Sequence, residues 1–226
     1  MNKICQEFGL PLSWQAVKPE AACYERGPVE VNSCVPTVQL DPAFQEYLMA
    51  TDGAGTVRIA LFMDNKTLVD GMNGIAAITQ PDVQPLLVRT GRVWEKILER
   101  CRTRRALRLE FAEASPLRWV KRQYNAEADH LCHQKFELKQ SWRTVVEYPQ
   151  DVRLLPGDCI AVWSDGGFDQ DLGGTAAYVV SVRRHDQWQR LASGGCYDGC
   201  IFGNDAFRME AIGMELAFLA INEYLT

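Results

Sequence analysis

The chain has 226 residues, a formal net charge of −5, 47% hydrophobic and 23% charged residues. This is ordinary globular composition, sufficient for one buried core and an appendage, and it excludes a disordered or low-complexity chain. An acidic total also argues against a nucleic-acid binder, unless the charge is unevenly distributed.

No apolar run approaches the roughly 20 residues that cross a bilayer, so no membrane partner is expected. The start, Met1-Asn-Lys-Ile-Cys-Gln-Glu-Phe8, lacks the organisation of a secretory signal; an intracellular protein, cytoplasmic or nuclear, is expected. Eight cysteines at 5, 23, 34, 101, 132, 159, 196 and 200 form no close CxxC pair and read as buried or free thiols. Cys196 and Cys200 with Cys132-His133 do not have the spacing of a structural zinc site.

Residues 1–55 are interrupted by prolines at 11, 19, 28, 36 and 42 and by Gly9, Gly27, Gly53 and Gly55. They read as an arm or cap of unassigned role, with one helix at 42–50 capped by Asp41 and opened by Pro42. From 56 onward the pattern changes. An apolar strand at 57–63 ends at Asp64, and helices follow at 66–76 and 83–102, the latter with Leu86, Leu87, Val93, Trp94, Ile97 and Leu98 at helical spacing. The next strand is either 106–111 or 117–120, separated by Ser115-Pro116; the second is favoured as the one leading to a site. A helix at 124–138 carries Asp129. Residues 139–158, with Pro149 and Pro156-Gly157, read as a connector. A strand at 159–165 ends at Asp165. Strands at 174–183 and 187–196, joined by a polar turn, lead to a helix at 205–224 carrying Glu210. Strands flanked by helices predict an α/β fold with an open mixed sheet.

Charge is uneven along this order. Residues 89–122 hold eleven Lys/Arg against four Asp/Glu, leaving the remainder strongly acidic. A basic face able to follow a phosphate backbone and a solvated helix face with i,i+4 pairs account for this stretch equally well.

Asp64 and Asp165 each follow a long apolar strand. If those strands are parallel neighbours, both carboxylates reach one rim of the sheet, where open α/β folds bind ligands. Two such charges brought together repel and lose hydration, which a divalent cation relieves. Carboxylate oxygens favour Mg²⁺ or Mn²⁺, and further carboxylates allow a second ion about 4 Å away, as in phosphodiester hydrolysis.

Four segments together resemble the type 1 ribonuclease H domains, including the retroelement and plant-type versions. They are Trp163-Ser-Asp-Gly-Gly167, Asn204-Asp-Ala-Phe-Arg-Met-Glu210 with the helix that follows, Phe62-Met-Asp-Asn-Lys-Thr-Leu-Val69, and Val120-Lys-Arg-Gln-Tyr-Asn-Ala-Glu-Ala-Asp129. The plant-type members run Val-x-Arg-x-x-Asn-x-x-Ala-Asp at the last of these. The family order is strand Asp, helix Glu, strand Asp, late Asp; here the second pair comes first.

The resemblance therefore implies a circularly permuted ribonuclease H-like domain over 56–226 with a mixed five-stranded sheet flanked by helices. Residues 56–138 form the second half-unit, 139–158 the connector and 159–226 the first half-unit. It implies two Mg²⁺ or Mn²⁺ ions held by Asp165, Glu210, Asp64 and Asp129, with Asp165 as the bridge, and hydrolysis of the RNA strand of RNA–DNA hybrids. Gly166, Gly167, Asn65, Asn204, Lys121, Arg122 and Asn125 are the expected substrate contacts, the glycines by admitting the minor groove with its 2′-hydroxyls. For the two asparagines at 65 and 204, a cap or turn role is the competing reading. The flexible His found before the last Asp in many members has no counterpart here; Lys121 and Arg122 occupy that neighbourhood. Competing functions are a resolvase- or integrase-like DNA nuclease on the same fold, and a non-catalytic nucleic-acid-binding module. Both a monomer and a swapped homodimer satisfy the pattern.

Overall fold

Every residue of Val57–Met63 (β1) is buried, Arg58 included, as expected of a strand inside a sheet covered on both faces. The computed structural model describes residues 57–104, 107–109, 117–184 and 187–226. The arm at 1–55 and the helix expected at 42–50 lie outside the described residues. After β1 come helices Lys66–Met72 (α1) and Gln84–Thr103 (α2), and the short strands Leu107–Leu109 (β2) and Arg118–Trp119 (β3). A 3-10 turn at Arg122–Tyr124 then opens helix Ala126–Leu138 (α3). Strands Trp142–Val145 (β4), Cys159–Asp169 (β5), Gly173–Arg184 (β6) and Gln187–Asp198 (β7) precede the last helix, Ala206–Tyr224 (α4).

The strands run β2-β1-β5-β6-β7-β4 across the sheet, with β3 also on β1. β1 is parallel to β2, β3 and β5, whereas β5–β6, β6–β7 and β7–β4 are antiparallel. The α/β mixed sheet is thus as expected, but among the described residues it has seven strands rather than five. One reason is that both 107–109 and 118–119 form strands, at successive positions along β1. The other is that the connector is not all loop: Trp142–Val145 pairs with Ala192–Gly195 at the sheet edge. Its polar Arg143 and Thr144 suit an edge exposed on one side and hid it from an apolar-run reading.

Alternation sets the two faces. Ile59, Leu61 and Met63 with Ile160 and Val162 face the larger core, which α1, α2 and α4 cover. Ala60 and Phe62 with Cys159, Ala161 and Trp163 face a smaller core closed by Ala128 of α3 and by Val120. α4 is apolar nearly all round because it lies between the sheet and α2. Asp205 caps its start, accepting from the Arg208 amide at 2.7 Å.

The basic stretch finds an unexpected use. Arg89 grips buried Glu215 of α4 through two hydrogen bonds of 2.7 and 3.0 Å. Arg104 donates to the carbonyls of Leu225 and Thr226 at 2.9 and 2.6 Å, and Arg100 to the carbonyl of Asn222 and, at 2.8 Å, to the Thr226 hydroxyl. These cations satisfy and neutralise the carbonyl end of α4. Arg89, Arg100 and Arg104 thus clamp one helix to another, a use that neither reading of the 89–122 stretch anticipated. Replacing Arg89 by Met strands the Glu215 carboxylate and is expected to cost about 3 kcal/mol in urea unfolding. Arg102→Met, whose 3.9 Å partner Glu99 is equally exposed, is expected to stay within about 0.5 kcal/mol.

Candidate metal centre

Register alone brings the first two carboxylates together. Phe62 is opposite Trp163 and Met63 opposite Ser164 on the parallel strands β1 and β5. The next position puts Asp64 beside Asp165, both on the α3 side by the two-residue alternation. Under them Phe62 stacks on Trp163 with ring centroids 5.3 Å apart, and Trp188 meets Trp163 edge-on at 5.5 Å. This aromatic floor lowers the local polarity beneath the acids.

One detail of the expectation is corrected. Asp165 does not end its strand: β5 continues to Asp169, with Gly166 and Gly167 paired to Ala176 and Thr175 of β6. What ends is β1. Beyond Met63 it leaves β5 without a neighbour on that side, and this notch is where Asp165 is reachable.

The third carboxylate arrives on α4. A Cβ at Gly166 would overlap the backbone of Met209 and Glu210, and a Cβ at Gly213 would overlap the carbonyl of Asp165. Two glycines facing each other thus seat the first turns of α4 directly on β5 and carry Glu210 to Asp165. The close approach expected at Gly166 is made by the protein's own helix. Gly167 is less tightly enclosed, since a Cβ there would only touch the Phe136 ring and the Thr175 hydroxyl at 3.3–3.4 Å. Gly166→Ala is expected to push α4 off β5, lowering stability by roughly 1–3 kcal/mol and weakening Mn²⁺ binding in calorimetry. Gly91→Ala, in an open helical position, is expected to stabilise the protein by up to about 1 kcal/mol.

Asp64, Asp165 and Glu210 offer carboxylate oxygens that all lie within 4.8 Å of one another. Burial pushes all three pKa values up, and mutual repulsion adds to this for Asp165 and Glu210. Asp165 rises to about 7 and Glu210 to about 9. The nearby Gly166 amide opposes the rise only in part. Glu210 keeps one buried carboxylate oxygen with no hydrogen-bond partner. A buried acceptor of that kind is costly unless something positive reaches it, and together with the hard-oxygen donor set it fits a Mg²⁺ or Mn²⁺ ion. Among the described residues this is the cluster suited to a metal; Cys132, Cys196 and Cys200 form no comparable thiolate group.

Asp129, the fourth expected ligand, stands apart from this triad. Arg122 holds it in an ion pair, and His133 lies 3.7 Å away one helical turn on. Its charge still contributes to the raised pKa of Asp64 and Asp165, so it belongs to the same electrostatic site.

The expected substrate contacts divide. Asn65 caps α1 by accepting from the Leu68 amide, and Asn204 bonds the Cys200 carbonyl and Arg208; both amides serve the protein's own loops. Lys121 and Arg122 are exposed at the rim. Asn125, at 1% exposure, is inside the protein. Its Nδ2 donates to Asp64 Oδ1 at 2.9 Å and to the Ser164 carbonyl at 2.8 Å, tying the Asp64 carboxylate to β5. It is a positioning residue, and the burial that excludes a substrate role was not visible in the motif. Two further neighbours were missed. The buried Cys132 thiol of α3 neighbours Asp165, and burial raises its pKa well above the usual thiol value. Trp119 donates its indole N–H to the Asp64 carbonyl at 2.9 Å. The four-residue steps from Asn125 to Asp129 and from Ala128 to Cys132 are the one sequence signal that placed these side chains on related faces of α3.

Comparison with protein-family models gives no match, and no curated protein matches the sequence. No described helix is long and apolar enough to cross a membrane.

Proposed function

We propose that this protein is a divalent-metal-dependent nuclease of the ribonuclease H type, in circularly permuted order, that hydrolyses the RNA strand of RNA–DNA hybrids. One observation carries the reading. Three carboxylates from a parallel strand pair and from a helix far along the chain meet within 4.8 Å, at an energetic cost that the fold does not itself relieve. The strand pairings are compatible with such a fold: β5, β6 and β7 form the antiparallel part, α4 follows, and β1 then adds parallel to β5. Read in that cyclic order, β2 and β3 extend the sheet beyond β1, and β4 is an addition contributed by the joining segment.

Asp64, Asp165 and Glu210 would hold the first ion. When bound, such ions supply an activated water and positive charge at the leaving oxygen of the phosphodiester. The protein's own residues do the rest. Asn125 fixes the Asp64 carboxylate, the close seating of α4 on β5 at Gly166 and Gly213 sets Glu210 beside Asp165, and the Phe62–Trp163 floor limits water beneath them. Were a second ion held, Asp129 would be its added ligand, and its present partner Arg122 would then be available to a substrate phosphate. Lys121 stands beside it as a second phosphate contact. The test is a gel assay of an RNA–DNA hybrid labelled on each strand in turn, in Mg²⁺ and in chelator. Cleavage of the RNA strand in Mg²⁺ alone is expected. Cleavage of branched or duplex DNA instead would move the protein to the resolvase-like class.

A further inference from the structure

Trp119 is 41% exposed on the edge strand β3, an unusual place for the largest apolar side chain. It is also fixed in place. Met63 is its register partner on β1, and its indole N–H donates to the backbone carbonyl of Asp64. The ring is therefore tied to the backbone of Asp64, one of the three clustered carboxylates, and stays partly open to solvent. Exposed Lys121 and Arg122 follow two and three residues along the chain, after buried Val120. An immobilised aromatic face followed by cations matches the chemistry of a nucleotide, whose base or sugar stacks on the ring while its phosphate meets the cations.

We propose that Trp119 is the stacking platform for a nucleotide of the strand being cut, flanking the scissile phosphate. The inference rests on the nuclease reading and names the contact that positions the substrate. The indole N–H is spent on the Asp64 carbonyl, so recognition through the ring is by its face and carries no base identity. Sequence preference at this nucleotide is therefore weak. A stacked base contributes roughly 1–3 kcal/mol, so its loss is expected to weaken binding about tenfold or more.

The test compares Trp119→Ala, Trp119→Phe and wild type in the full chain. Binding of a fluorescent RNA–DNA hybrid is followed by anisotropy in chelator, and kcat and KM are measured in Mg²⁺. Stacking predicts that Trp119→Ala raises Kd and KM about tenfold with kcat nearly unchanged, and that Trp119→Phe stays within about threefold of wild type. Phe keeps a ring but loses the N–H to Asp64, so an equal loss of kcat in both variants would assign Trp119 to holding Asp64 and overturn the platform. Unchanged Kd and KM in Trp119→Ala, in a wild type that cleaves, would overturn it while the nuclease reading stands. Trp119-dependent hybrid binding without Mg²⁺-dependent cleavage would keep the platform and remove the nuclease. If the wild type neither binds nor cleaves hybrid, both fall. Thermal melts of each variant verify that the comparison is made on folded protein.

Discussion

Asp165→Asn is expected to abolish Mg²⁺-dependent cleavage and at the same time to make the metal-free protein more stable at pH 8. The two effects have one origin. Asp165 is buried over an aromatic floor, beside Asp64 and Glu210, and its pKa is pushed up to about 7 by burial first and by its neighbours' charge second. At pH 8 the folded protein holds it ionised against that penalty, whereas the unfolded chain solvates it freely. Asparagine keeps the shape and removes the charge. Each pKa unit corresponds to about 1.4 kcal/mol, and because three carboxylates share the repulsion the gain is on the order of 2 kcal/mol. In a domain of this size that is a rise of roughly 4–8 °C in Tm. The activity loss is expected to be at least roughly 10²–10³-fold, the scale for deleting one preorganised electrostatic element. Differential scanning calorimetry and the hybrid assay on the same preparations check the pair of outcomes. A variant that loses stability as well as activity would show Asp165 to be an ordinary structural polar residue.

Acid should stabilise the metal-free protein through this site. Asp64, Asp165 and Glu210 all have folded pKa values above their ordinary ones, because burial disfavours the charged form. The native state therefore binds more protons than the unfolded chain. Their contribution is fully present below the ordinary carboxylate pKa near 4 and is lost as pH rises through about 7 for Asp165 and about 9 for Glu210. A decline on the order of 2–4 kcal/mol between pH 5 and pH 9 follows, opposite in direction to common acid denaturation. Mn²⁺ competes with those protons, so the metal-induced rise in Tm should be small at pH 5 and large at pH 8. Melting curves across this range, for wild type and for Asp165→Asn, separate the site from other titrating groups by their difference. A wild-type-minus-variant difference that stays flat with pH would show that the three carboxylates are not the buried cluster described here.

The elements were largely legible because their signals were strong. Apolar runs marked β1 and the first half of β5, and helical spacing marked α2. Parallel pairing of the two Asp-bearing strands was a condition for their carboxylates to meet, and β1 and β5 satisfy it. Three features were hidden. The edge strand β4 carries arginine and threonine and gains its order only from β7. The extension of β5 past Asp165 depends on hairpin pairing through two glycines that otherwise signal a turn. The opposed Gly166 and Gly213 lie far apart in the chain and acquire meaning only when helix and strand touch. For the site, the four acids could be named from their settings, but not the division into a tight triad and an Asp129 held by Arg122. Nor could sequence separate Asn125, inside the protein, from Lys121 and Arg122 outside it. Burial decides that, and burial is a property of the assembled sheet.

The central parallel pair, β1 with β5, joins segments about 100 positions apart. A ribosome delivers the carriers of Asp64 and Asp129 first, and Asp64 must wait about 100 further residues for Asp165 to be made beside it. Glu210 emerges last of the four. Vectorial synthesis thus leaves the nascent polypeptide without its complete carboxylate triad until α4 is available. Closing so large a loop also makes assembly of the core intrinsically slow compared with a domain of local contacts.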